Sequence, residues 1–269
     1  MRINQNIAAF NAYRNLSGTN NALGKSLEKL SSGFRINRAA DDAAGLTKSE
    51  GLRAEIRGTK QAVRNAQDGV SLVQTAEGAL NEVHAILQRM RELAVSAANT
   101  ATSDGVAEQA EVTELLAEIT AIGTRTQFSG QQVFDGAART FQVGANSSDT
   151  LSVTIASLGA TGVGAAGTDV SGIDVSSDAA GAIDTLDTAI ASVSSQRSTL
   201  GASQNRLEHT IANLQVAAEN LSASESRIRD TDMAEELVSV TRSQILQQAG
   251  TAMLAQANQV PQSVLSLLR

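Results

Sequence analysis

The 269-residue chain contains no cysteine, no tryptophan and a single proline, Pro261. The lack of cysteine excludes disulfide bonds, thiolate metal sites and cysteine nucleophiles, and it leaves the cellular compartment open. Because proline breaks helix interiors, one proline in so long a chain favours long helices. Aromatic residues make up only 2%, whereas a compact globule of this size would normally bury more rings. The composition therefore favours an elongated, mainly helical protein.

The chain also lacks excess positive charge and long apolar runs. Its formal net charge of −7 argues against a nucleic-acid binder, which would carry a basic patch. No run approaches the roughly 18 apolar residues that a membrane span requires. Residues 1–15 contain no apolar segment typical of a cleaved signal peptide. We expect no nucleic-acid partner and no membrane span, and a secretion route, if any, that needs no cleaved signal.

Apolar residues repeat in alternating steps of three and four between Ile183 and Ile228. The series covers 45 residues in 13 steps, about 3.46 residues per step, which is close to the coiled-coil period of 3.5. Similar series run from Val73 to Ala97 and from Val112 to Ile122. They predict an antiparallel helical bundle or coiled coil whose two halves lie far apart in sequence. Its expected buried seam includes Leu80, Leu87, Leu200, Leu207, Ile211 and Leu214.

Three polar residues, Arg197, Gln204 and Glu225, interrupt the longer apolar series. They are either solvated positions where the bundle is open or residues that fix the helix register at some cost in stability. We favour the second interpretation.

Between residues 126 and 180 the composition changes to Thr, Ser and Gly. Apolar residues alternate with period two at Phe141 and Val143, and again from Leu151 to Ile155, with turn-forming residues 144–149 between them. This pattern predicts a small β-hairpin. The stretch from Gly159 to Gly172 is expected to be a flexible connector.

The two ends of the chain share an absence of acidic residues, with none before Glu28 and none from Leu237 onward. Both ends are amphipathic helices by their spacing. They are either surface helices docked on the bundle or helices that pair with each other and with neighbouring copies in a polymer. The apolar positions that would make the polymer contacts are Ile3, Ile7, Phe10, Leu23, Leu27, Leu246, Met253, Val260, Val264 and Leu267.

The few groups capable of chemistry have structural explanations. Asp41 and Asp42 could form a carboxylate pair, but capping of a helix that begins near Ala43, with ion pairs to Arg35 or Arg38, is favoured after a helix end at Gly33. His84 and His209 are isolated on separate helices. We therefore expect no catalytic site, no metal and no cofactor.

Four segments of the sequence form distinctive motifs: LSSGFRINRAADDAAGL at residues 30–46, QRMRELAV at 88–95, TQFSGQQVFDG at 126–136 and SQILQQAGTAMLAQANQVPQSVLSLLR at 243–269. All four resemble segments of bacterial flagellins. The resemblance covers roughly the first 145 and the last 90 residues, and the motifs are long and ungapped. The chain is identified as a member of that family with a reduced outer variable region.

The resemblance implies three regions and a function. Residues 1–44 with 230–269 would be paired inner-core terminal helices. Residues 45–125 with 181–229 would be an outer-core bundle, and residues 126–180 the reduced variable region. The function implied is that of a structural subunit that self-assembles into the extracellular flagellar filament for swimming. The alternatives are a hook-filament junction protein and a non-flagellar coiled-coil scaffold.

The resemblance also implies partners beyond the chain itself. They are a flagellar export chaperone, the filament cap, the hook-filament junction proteins and, on monomers, a host Toll-like receptor, with export by the flagellar type III pathway. The receptor would contact Gln88, Arg89 and Leu93. We expect Met90 and Ala94 on the seam, with Arg89, Glu92 and Leu93 facing away from it.

Two expectations concern the terminal segments. The family pattern favours a last helix that persists past Pro261, although proline could also end it early. Because isolated amphipathic helices are marginal, we expect the ends to be disordered in the monomer and to fold on assembly.

Overall fold

The structure, a computed structural model, describes residues 5–99, 105–159, 162–163 and 168–267, with side chains up to residue 259. This part of the chain holds five helices and two two-stranded antiparallel sheets, which confirms the mainly helical fold class. The helices are α1 Ile7–Ser32, α2 Ala43–Ala97, α3 Val106–Arg125, α4 Ala179–Arg229 and α5 Met233–Leu267; the strands are β1 Gln127–Phe128, β2 Gln131–Gln132, β3 Ala138–Gln142 and β4 Thr150–Thr154.

Short polar side chains and glycine set the ends of these helices. The Asn6 side chain accepts a hydrogen bond from the Ala9 N–H at 3.1 Å and caps α1. Gly33 ends α1 in the left-handed conformation with φ of 75°, as the sequence predicts. At the start of α4, the Asp178 carboxylate accepts from the Gly181 N–H at 2.9 Å. The helix α5 continues past Pro261 to Leu267, as the family pattern favours.

The tandem aspartates divide the capping role. Asp42 accepts from the Gly45 N–H at 2.9 Å and caps α2, as expected. Asp41 instead accepts from the N–H of Arg38 at 3.0 Å, and this bond is the main cause that lowers the pKa of Asp41. The expected ion pairs with Arg35 and Arg38 are wrong, because Arg38 binds Glu28 at 2.9 Å and Arg35 donates to the Ile228 carbonyl oxygen at 2.6 Å.

The chain divides into two compact units. Unit 1 comprises Met1–Ala54 with Asn220–Arg269, and unit 2 comprises Glu55–Glu219. In unit 2, α2 and α4 run antiparallel, because Arg91 binds Asp187 at 2.5 Å and Arg197 lies 3.8 Å from Glu77. The shorter α3 folds back along α2. A continuous cluster of buried residues fills the space among the three helices.

The polar residues on the α4 seam differ in what they contact. Arg197 is half-buried and its pair with Glu77 links α4 to α2, which is the contact that a register-fixing role requires. The Gln204 amide, by contrast, binds Glu208 within the same helix at 2.9 Å. Gln196, which precedes Arg197 in the sequence, is buried more deeply than either Arg197 or Gln204, with only 5% of its surface exposed.

The predicted hairpin is present as β3 and β4. Phe141 lies opposite Leu151 and Arg139 opposite Val153 in the antiparallel register. A second, shorter hairpin of β1 and β2 turns at Ser129 and Gly130, both with positive φ. Sequence reasoning missed it, although the Ser-Gly dipeptide is a turn signal.

The prediction of a flexible connector from Gly159 to Gly172 is wrong for its described residues. Val163 and Val170 are fully buried in the core of unit 2, and Val163 exchanges two backbone hydrogen bonds with Thr168. The buried apolar residues at Leu158, Ile173 and Val175 continue the same packing. The glycine content suggested mobility, but scattered β-branched residues in the segment need burial, and the groove between the helices supplies it.

Helix side chains fasten this segment through its backbone. The Gln109 amide donates to the Ile173 carbonyl oxygen at 3.2 Å and accepts from the Val175 N–H at 2.7 Å. Ser192 donates to the Val163 carbonyl oxygen at 3.1 Å, and Gln196 to that of Thr154 at 3.2 Å. The bonds to Val163, Ile173 and Val175 replace strand partners, so these residues satisfy buried backbone groups outside the named strands, while the bond to Thr154 holds the end of β4.

Candidate assembly surface

The two terminal helices pair antiparallel in unit 1. The Asn6 side chain near the start of α1 donates to the Ala257 carbonyl oxygen of α5 at 2.8 Å. At the other end of α1, Lys29 lies 3.9 Å from Glu236 near the start of α5. Between them Gly250 faces Leu16 so closely that a Cβ there would lie 3.2 Å from a Leu16 methyl carbon. The pairing of the N- and C-terminal helices expected from the sequence is therefore present.

The chain segments that follow α1 and α4 join each other at the base of this helix pair. The Arg35 N–H donates to the Arg229 carbonyl oxygen at 2.7 Å, and the Thr231 N–H donates to that of Gly33 at 3.1 Å. The Arg229 guanidinium lies 4.7 Å from the centre of the Phe34 ring. These contacts place residues 33–35 against residues 229–231.

An ion cluster completes this joint. Arg229 and Arg53 both bind the Glu50 carboxylate at 2.8 Å. The hydrogen bond from Arg53, followed by that from Arg229, lowers the pKa of Glu50. Phe34 lies in the motif at residues 30–46 that resembles the family, but the sequence predicts no role for Phe34, Glu50 or Arg229. The available signal was arginine near the two helix breaks, with Arg35 and Arg38 in the first and Arg227 and Arg229 just before the second.

The paired helices present many large apolar side chains to solvent. Phe10 is 70% exposed, Ile7 66% and Met253 64%. A shallow groove of about 450 Å³ runs along α5 between Leu237 and Leu246. We call the whole set the terminal surface: Ile7, Phe10, Tyr13, Leu27, Met233, Leu237, Val238, Ile245, Leu246 and Met253.

The residues predicted to make polymer contacts fall into three groups. Ile7, Phe10, Leu27, Leu246 and Met253 belong to the terminal surface. Leu23 is half-buried. Ile3 and the side chains of Val260, Val264 and Leu267 lie outside the described residues.

The predicted seam residues all lie in unit 2, and five of the six belong to two clusters. Leu80, Leu87 and Leu200 are buried in the large cluster among α2, α3 and α4. Leu207 is buried in a smaller cluster beside the hairpin, where Ile211 packs against it. Leu214 is half-buried.

Of the three residues predicted to contact the receptor, two are exposed and one is buried. Gln88 and Arg89 are exposed, and Arg89 binds Glu111 of α3 at 2.8 Å. The expectation that Leu93 faces away from the core is wrong, because it is only 7% exposed and packs in the large cluster. Leu93 lies one turn after Arg89, on the face of α2 that α3 covers. Met90 and Ala94 are fully buried.

Two further features bear on function. Among the described residues, no three His, Cys, Asp or Glu side chains come together in a way that could hold a metal ion. None of the helices in the part that the structure describes carries an apolar stretch able to cross a membrane. The exposed apolar area of unit 1 is therefore the feature that most needs a functional explanation, because soluble monomers rarely leave such patches uncovered.

Comparisons with known proteins give the chain a family. The model of the bacterial flagellin N-terminal helical region matches residues 3–139, and that of the C-terminal helical region matches residues 183–268. The chain is 50% identical to a flagellin of Bacillus subtilis and 54% identical to one of Halalkalibacterium halodurans, over 100% of each chain. It is 49% identical, also over 100% of both chains, to the flagellar filament 33 kDa core protein of Treponema phagedenis. The chain therefore belongs to the bacterial flagellins, the family of structural subunits that make up flagellar filaments.

Proposed function

We propose that this flagellin polymerises through the terminal surface, which copies of the chain cover for one another in the filament. The observation that carries the proposal is the exposure of ten large apolar side chains on α1 and α5. Burial of one such side chain contributes about 1.5–3 kcal/mol, so several per subunit outweigh the entropy lost on association. The product is a filament in the extracellular flagellum.

The charge pattern of the ends agrees with this role. No acidic residue follows Glu236 in α5, and none precedes Glu28 in α1. Side chains that become crowded between copies cannot carry unpaired like charges without a large desolvation cost. The terminal segments combine the apolar terminal surface with uncharged Asn and Gln side chains, which suits burial in a polymer.

The proposal extends to partners that handle the chain before and during assembly. A flagellar export chaperone would bind the exposed apolar surface and prevent aggregation while the subunit is in the cell. As a filament subunit, the chain would leave the cell through the flagellar type III pathway. It would then contact the filament cap and the hook-filament junction proteins. Recognition by a host Toll-like receptor would use the exposed Gln88 and Arg89.

A charged substitution on the terminal surface tests the proposal. Leu246→Asp places a carboxylate at one end of the α5 groove, within the terminal surface, and we expect it to abolish polymerisation of purified protein, measured by sedimentation and electron microscopy. Val216→Asp is the matched control, because Val216 is 57% exposed on α4 in unit 2 and Leu246 is 51% exposed. Filaments of normal length from the Leu246 variant would refute the proposal, as would equal loss in the Val216 variant.

A further inference from the structure

The charges of unit 2 are strongly unbalanced and unevenly placed. Residues 55–219 carry 9 Lys and Arg against 19 Asp and Glu, a formal net charge of −10. Four of the cations form ion pairs: Arg89, Arg91, Arg139 and Arg197. Copies of such a unit repel one another unless each presents its remaining cations to another copy's anions.

Three of the remaining cations form one stripe. Arg57, Lys60 and Arg64 are spaced three and four residues apart on α2, so they lie on one face of the helix. All three are exposed, and in the part of the chain that the structure describes none of them forms an ion pair. The opposite face of the same turns is buried at Thr59 and Ala62. We call Arg57, Lys60 and Arg64 the basic stripe.

Acidic residues without a cation gather where α3 lies along α2. Arg89 of α2 binds Glu111 of α3, and Ser96 approaches Glu108 at 3.3 Å, which fixes the antiparallel register of the two helices. Two helical turns further along, the same register brings Glu82 of α2 level with Glu118 of α3.

Glu114 lies between Glu111 and Glu118 on the same side of α3. Glu82, Glu114 and Glu118 are exposed, and among the described residues none of them forms an ion pair. We call these three residues the acidic face. The acidic face lies beside the Arg89–Glu111 ion pair and offers similar carboxylates to a cation from outside the chain.

We propose that the basic stripe of one copy binds the acidic face of a second copy between neighbouring subunits of the filament. The two surfaces cannot meet within one chain, because α2 separates their centres by about 23 residues, or about 35 Å at 1.5 Å per residue. The proposal rests on the proposed function, since polymerisation by the terminal surface brings the copies together. Complementary charge then sets the stagger between adjacent copies of unit 2.

Charge reversal on each surface, alone and together, tests the proposal. The variants are Arg57→Glu with Arg64→Glu, Glu114→Lys with Glu118→Lys, and all four changes combined. At low salt we expect each double variant to raise the critical concentration for polymerisation of the purified full chain by roughly tenfold, as loss and reversal of a few exposed ion pairs predicts. The fourfold variant should return to within about twofold of the wild type, because the pairs re-form with exchanged signs.

Two controls separate this pairing from net charge and from misfolding. Arg125→Glu with Arg206→Glu makes the same change in net charge at two exposed cations outside the basic stripe, and we expect no effect beyond about twofold. Circular dichroism identifies any variant that has lost its fold, and the neutral pair Arg57→Gln with Arg64→Gln replaces it with an expected effect of about threefold. In 1 M salt the differences should vanish, since the Debye length is about 3 Å there.

The outcomes distinguish the two proposals. If the wild-type chain polymerises and the double variants match it, or if the fourfold variant is not restored, the pairing of the two surfaces is wrong while polymerisation by the terminal surface stands. Loss of restoration with a persistent defect in the basic-stripe variant would show that these cations meet a different partner. Failure of the wild-type chain to polymerise at all would overturn the proposed function itself.

Discussion

Unit 1 and unit 2 are built from the same kinds of helix, yet they place their apolar residues in opposite ways. Of the buried hydrophobic side chains in the described part of the chain, only Ile36 and Val240 belong to unit 1. Of the large exposed ones, only Val95, Val106 and Val216 belong to unit 2. Unit 2 has an interior of its own. Unit 1 has an apolar exterior, which we propose other copies cover in the filament.

The difference follows from the number of helices that meet. In unit 2 a third helix and the fastened segment after β4 close the groove between α2 and α4, and the core becomes continuous. In unit 1 the terminal helices α1 and α5 pair with each other. Two helices in contact leave most of each surface in water, so a helix pair alone buries little area for the residues it orders.

The largest difference we expect is in amide exchange of the unpolymerised chain. Residues 72–97 of α2 lie over the core of unit 2, whereas residues 7–32 and 233–259 depend on a helix pair with little buried area. We expect protection at least about a hundredfold weaker in the terminal helices, because local opening there exposes little apolar surface. In filaments the terminal helices should become as protected as α2. Strong protection of both segments in the monomer would refute folding on assembly.

The next largest effect is on the stability of the monomer. Leu87 is fully buried, so Leu87→Ala should lower the free energy of unfolding by about 2–5 kcal/mol. Leu246→Ala removes the same atoms from an exposed position of α5 and should change it by less than about 0.5 kcal/mol. Thermal unfolding of the two variants in monomeric form measures both. Equal losses would mean that unit 1 already holds a core like that of unit 2.

A smaller effect is expected where a side chain fastens backbone to the core. Gln109→Ala removes the bonds to Ile173 and Val175 and leaves two backbone groups without partners, at a cost of about 1–3 kcal/mol. Gln61→Ala is the control, because Gln61 is exposed on α2 and its hydrogen bonds join the side chains of Asn65 and Arg64 on the same helix. Urea unfolding of the monomers compares them. A loss in the control equal to that in the Gln109 variant would show that the fastening contributes nothing specific.

Much of the fold could be predicted because it depends on local periodicity. Alternation of three and four identifies the faces of α2 and α4 that become buried, and Leu80, Leu87 and Leu200 lie where that periodicity puts them. Alternation of two identifies the hairpin, with Phe141 opposite Leu151. Glycine and aspartate identify the break between α1 and α2. Each of these signals acts over a few residues, so a single chain segment contains all of it.

The rest depends on which surfaces meet, and no local pattern contains that information. Leu93 is buried because α3 covers its side of α2, and Val163 is buried because Gln109, Ser192 and the helices behind them hold its segment. The backbone hydrogen bonds between residues 33–35 and 229–231 likewise join segments that lie far apart in the sequence. The sequence by itself determined that the ends are amphipathic, acid-free helices and that a bundle lies between them. Only the tertiary structure decided that the bundle closes its own core while the described part of the paired ends leaves its large apolar side chains exposed, because a closed core requires a third packed surface, which α3 supplies in unit 2.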